Sequence, residues 1–138
     1  MSTELHIAVL EDARDPTVLE LIGASPDMAK KMSVLLDFDQ SVLDKKFRNL
    51  SLGEQKLCLI ARALAAKPKL LILDEAVQGL DLQHRTRVAR LIDSMVTSPD
   101  FDVAVVFVTH HVDELPRVVT HRLFMQAGSV SSRGPWKP

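Results

Sequence analysis

The 138-residue chain has a single cysteine, five glycines, one tryptophan and no tyrosine. One cysteine cannot close an internal disulfide, so no disulfide scaffold is available; Cys58 sits in the apolar run LCLIA, where a buried thiol is expected. This usage fits a reducing compartment. None of the glycines stands in G-x-x-x-x-G-K-[ST] or G-x-G-x-x-G spacing, so these residues hold no phosphate-cradling loop. No stretch nears the roughly 18–20 uninterrupted apolar residues that span a bilayer. The first ten residues carry Glu4 and His6 instead of a basic segment followed by an apolar one. A cytoplasmic chain is expected. Charge is balanced too: 17 basic and 18 acidic residues leave a net −1. No global field then draws the chain to nucleic acid or an anionic membrane, and no direct nucleic-acid contact is expected.

What is present describes a globular chain, with 46% hydrophobic and 25% charged residues, of a length suited to one domain or part of a larger one. Residues 1–50 read as mostly helical. TVLELIGA is a short amphipathic piece, and Ser25-Pro26 supplies an N-cap with proline at the first helical position. Met28, Met32 and Leu35 fall on one face and are expected in the core. Residues 38–47 suggest another short helix and a loop, and LHIAVL at 5–10 is compatible with strand or helix. Ser51-Leu52-Gly53-Glu54 has the capping-box pattern and opens a helix with Leu57, Ile60 and Leu64 on one face. LLIL at 70–73 is a continuous apolar run, expected as a strand covered on both faces by helices, ending in Asp74-Glu75. A turn at Gly79 leads to a helix from about Asp81 carrying Val88, Leu91, Ile92 and Met95. VAVVFV at 103–108 ends in Thr109-His110-His111, then a short helix over VDELPRVV and a strand over HRLFMQ. Order is expected to end near Val130, with 131–138 a frayed tail. The alternation implies an α/β fold on a mainly parallel sheet.

Ligands of open α/β sheets bind beyond the carboxyl ends of the strands, where this chain places Asp74, Glu75 and His110. Adjacent carboxylates at a strand end point in different directions, so one can hold a magnesium ion while the next activates water. The bland alternative is that Asp74 caps a turn, Glu75 is solvated and His110 simply closes a strand.

Taken together, LSLGEQ at 50–55, LLILDE at 70–75, QGLD at 78–81 and Thr109-His110 resemble the signature, Walker B, D-loop and switch histidine of an ABC-type ATPase nucleotide-binding domain. Order and spacing agree, with Ser51 and Asp74 23 positions apart and Asp74 and His110 36 apart. The resemblance covers about residues 26–130 and the C-terminal half of the family domain. It implies a helical subdomain at 1–50 followed by the signature helix and C-terminal part of a P-loop NTPase core at 51–130. LILDEAVQGLD, VTHHVDELP and THRLF further resemble the molybdate-transport and photorepair branch.

That resemblance implies ATP and Mg²⁺ as ligands, a second nucleotide-binding domain or homodimer as partner, and a membrane permease subunit if the protein serves transport. Asp74 would hold Mg²⁺ and Glu75 would polarise the attacking water. His110 would touch the γ-phosphate, Asp81 would link two sites across a dimer, and Ser51, Gly53 and Glu54 would bind the partner's nucleotide at a helix N-terminus. Leu52 and Ala76 depart from the pattern, standing where glycine and proline are usual. With no phosphate loop in these residues, the chain by itself is expected to be inactive. Two other readings stay open: a non-catalytic regulator of an ABC ATPase, and a DNA-repair ABC ATPase.

Overall fold

A computed structural model describes residues 15–23 and 25–137. The 5–10 run lies outside the described residues.

The N-terminal helices form where the caps are. Thr17 and Glu20 complete a reciprocal capping box on α1 (Val18–Ile22), which Gly23 ends at φ 63°. Ser25 caps α2 (Pro26–Leu35), whose first residue is the proline anticipated there. Asp39 caps α3 (Gln40–Leu43), and a 3₁₀ turn at Phe47–Asn49 leads into α4 (Leu52–Ala65). Met32, Leu36, Leu57, Cys58, Ala61 and Leu64 are fully buried where α2 and α4 meet; of the face expected on α2, Met32 enters the core while Met28 and Leu35 are only partly buried against it.

Past Pro68, β1 (Leu70–Asp74) pairs in parallel with β2 (Ala104–Val108), with Leu70 opposite Ala104 and Asp74 opposite Val108. Between them α5 (Leu82–Thr97) packs Val88, Leu91, Ile92 and Met95 into the core. This is a βαβ unit.

Three expectations are corrected. β1 alternates, with Leu71 and Leu73 buried and Leu70 and Ile72 exposed, so among the described residues helices cover only one of its faces. The helix expected over VDELPRVV is reduced to a 3₁₀ turn at Val112–Glu114, because Pro116 lacks the N–H a longer helix needs there. The presumed tail is strand: β3 (His121–Gln126) turns at Ala127 and Gly128, both at positive φ, into β4 (Ser129–Pro135), and this antiparallel hairpin is separate from the β1–β2 pair. Arg122 stacks on the rings of Phe124 and Trp136 at 5.2 and 5.5 Å, an attraction that favours the paired conformation.

Candidate nucleotide site at the strand ends

Asp74 is the last residue of β1 and is exposed, on the same side as Ile72. Glu75 leaves the strand at φ 50°, a left-handed conformation that costs a non-glycine residue about 1 kcal/mol. Its N–H still donates to the Val108 carbonyl at 2.9 Å, so the turn is locked to the end of β2. The Glu75 side chain is four-fifths buried, and its Oε1 lies 3.1 Å from His110 Nε2, whose ring is largely exposed. Thus the structure brings Glu75 and His110 together at the ends of neighbouring parallel strands. Such a carboxylate, partly withdrawn from solvent beside an imidazole, can accept a proton from water. The adjoining Asp74 offers the hard oxygen donor that Mg²⁺ prefers, which suits an ion whose other ligands are phosphate and water.

A second cluster gathers at two helix N-termini. Ser51 Oγ accepts the Glu54 N–H at 3.3 Å and Glu54 Oε2 accepts the Ser51 N–H at 2.8 Å, completing the anticipated box on α4. That backbone donor, aided by the Ser51 hydroxyl, holds the Glu54 carboxyl below its usual range, outweighing partial burial. Asp81 caps α5 by accepting the His84 N–H at 2.9 Å, and both its oxygens lie 2.9 Å from His84 Nδ1. These bonds, backbone first, keep the Asp81 carboxyl low. The His84 ring rests on Gly53: a Cβ there would sit 2.5 Å from its Cγ and Cδ2. Lys56 adds a bond to the Gln78 carbonyl at 2.6 Å. Ser51, Gly53, Glu54 and Asp81 therefore belong to one cluster, joined through His84. Leu52, on the first turn of α4, is 60% exposed, so core packing does not account for it.

Sequence reading missed His84 and Arg85, and met Glu114 only within the run His110 to Glu114, weighed there as a weak metal-site candidate. His84 and Arg85 follow the Asp81 cap by three and four residues, a spacing that places them in the first turns of the same helix and could have drawn attention to them.

The family model described as ABC transporter matches residues 11–78. The ABC transporter ATP-binding protein ModF of Escherichia coli is 42% identical over 89 residues, 64% of this chain and 18% of that protein. The nickel import ATP-binding protein NikE of Escherichia coli is 43% identical over 103 residues, 74% of this chain and 37% of that one. In fold, the chain resembles a dimeric ATP-binding cassette in a post-hydrolysis state with ADP and Pi, at a TM-score of 0.70 and 24% identity, covering 88% of this chain and 57% of that one. It also resembles cbiO1 from Clostridium perfringens, part of the ABC transporter complex cbiONQ, at a TM-score of 0.71 and 24% identity, over 88% of this chain and 51% of the other. The chain belongs to the family of ABC-type ATPase nucleotide-binding domains. It spans between 18% and 38% of the length of the curated relatives it matches.

Proposed function

We propose that these residues supply the Walker B, switch-histidine, signature and D-loop portion of an ABC transporter ATP-binding component. The observation that carries this reading is the Glu75–His110 contact of 3.1 Å at the ends of paired parallel strands, with the Ser51 capping box on the helix that precedes β1. Asp74 would hold Mg²⁺, which when bound neutralises phosphate charge. Glu75 orients and deprotonates the attacking water, and His110, exposed beside it, meets the terminal phosphate. The first turn of α4, where Ser51 is exposed, Glu54 partly so and Gly53 buried beneath the His84 ring, would face the nucleotide of a second nucleotide-binding domain, and Asp81 the same partner. Within this reading 1–50 serves as helical subdomain and 51–130 as the C-terminal part of the core.

No described helix is long and apolar enough to cross a membrane; we place the protein on the cytoplasmic face, against a permease subunit. The motif phrases favour molybdate as cargo, whereas relatives named for nickel import match over a longer stretch than ModF does. The proposal is therefore made for a transporter component, with molybdate as the substrate to test first.

The phosphate loop has to come from outside these 138 residues, either elsewhere in one polypeptide or from another. A coupled phosphate-release assay tests this. The 138-residue chain is expected to turn over ATP no faster than its Glu75→Gln variant, whereas fusion behind a segment carrying a G-x-x-x-x-G-K-[ST] phosphate loop from an active ABC ATPase is expected to restore Glu75-dependent hydrolysis. Glu75-dependent turnover by the chain alone, or a folded fusion that stays silent, would contradict the proposal.

A further inference from the structure

His110 is exposed, and the groups that fix its loop lie behind it. Thr109 Oγ1 donates to Glu114 Oε2 at 2.8 Å and accepts the His111 N–H at 3.0 Å, so the residues on either side of His110 are tied to one hydroxyl. The second oxygen of Glu114 accepts from Arg85 Nη1 of α5 at 3.1 Å, and the Glu114 side chain is only 7% exposed. Two residues past Pro116 the same loop is pinned again: Asp93 Oδ1 on α5 accepts the Val118 N–H at 3.0 Å.

A carboxylate withdrawn from water is costly unless both oxygens are satisfied, and an apolar residue would fill the same space at lower cost. Here both Glu114 oxygens are paired, although Arg85 Nε is buried with no hydrogen-bond partner among the described residues, and a carboxylate held at both oxygens defines one geometry. We infer that Glu114, acting through Thr109 and Arg85, is a positioning residue that holds His110 within reach of Glu75. The inference rests on the reading of Glu75 and His110 as the hydrolytic pair, and it deepens that reading: Arg85 lies one residue past His84, so the first turn of α5 touches both the signature turn, through His84 on Gly53, and the switch loop, through Arg85 on Glu114.

The test uses the 138-residue chain and NMR. The readouts are the through-space contact between the His110 ring and the Glu75 side chain, the exchange rate of the His111 amide, and the exchange of the β2 amides as a reference for global stability. Thr109→Val keeps the β-branched shape and removes the hydroxyl. It is expected to abolish the His110–Glu75 contact and to speed His111 exchange by about tenfold or more, with β2 exchange unchanged. Thr109→Ser should restore both. Glu114→Gln, which can satisfy only one of its two donors as an acceptor, should weaken the contact; if that variant unfolds, the threonine pair decides. Persistence of the His110–Glu75 contact in Thr109→Val, or its loss in Thr109→Ser, would overturn the inference. Either result is independent of hydrolysis, which tests the pair itself.

Discussion

Gly53 carries a steric duty as well as any role beside phosphate. The sequence made it conspicuous, since glycine is unfavourable in a first helical turn, and suggested close approach of a ligand. In the fold its missing side chain is also the space the His84 ring occupies. Gly53→Ala is therefore expected to destabilise the chain by about 1–3 kcal/mol through overpacking, despite the better helix propensity of alanine. In a His84→Ala background the same change should be neutral or stabilising. A double-mutant cycle by urea unfolding measures the coupling, and simple additivity would count against the packing account. Cys58 shows the opposite case, in which one residue was fully legible: its apolar neighbours foretold burial, and that burial pushes the thiol up to about 12. At neutral pH we expect a thiol reagent to modify Cys58 only as fast as the core opens, so rapid labelling of the native chain would contradict the packing of α2 on α4.

The capping box of α4 ties local sequence to stability and to pH. Replacing Ser51 with alanine removes the acceptor for the Glu54 N–H and should cost about 1 kcal/mol, measurable as a lower urea midpoint. Because the Ser51 N–H lowers the folded-state value of the Glu54 carboxyl, its contribution is present above the unfolded carboxylate range and fades as pH falls through the lowered value. The stability difference between the chain and Glu54→Gln should accordingly shrink as the pH falls below the ordinary carboxylate value of 4.5. A difference that holds constant would show that the ionised carboxylate is not what the cap uses. Helix starts were legible because Thr17, Ser25, Ser51 and Asp81 each announce a cap chemically. The β3–β4 hairpin was half legible. Ala127-Gly128 marked its turn, but SVSSRGP lacks the apolar alternation of a strand, and its pairing comes from backbone bonds and from Arg122 lying between Phe124 and Trp136.

Across the molecule, the sheet is bare where a parallel sheet is normally covered. Leu70, Ile72, Val106 and Val108 are 53%, 58%, 45% and 42% exposed and lie on one face of β1 and β2, uncovered among the described residues. The sequence could not reveal this, because a continuous apolar run looks the same whether its second face meets a neighbour in these residues or elsewhere. Solved cassettes of which the chain covers little more than half contain further chain that has no counterpart here. We expect the isolated chain to associate through this face as concentration rises, and Ile72→Lys to reduce that association in sedimentation velocity while leaving helix content unchanged. Unaltered association would assign it to another surface.

The Asp74, Glu75 and His110 constellation was legible because these residues terminate two apolar runs. The network behind it was not, since Arg85 and Glu114 are ordinary surface residues in sequence and meet only after α5 packs beside the switch loop. The measurement that bears most directly on the site is the kinetics of the chain fused behind a phosphate-loop segment, with and without Glu75→Gln. We expect kcat for ATP hydrolysis to fall by about 10²–10³, the scale of a lost general base, with ATP affinity unchanged. A Glu75→Gln fusion that hydrolyses ATP at the unsubstituted rate would contradict the assignment of Glu75 as the base.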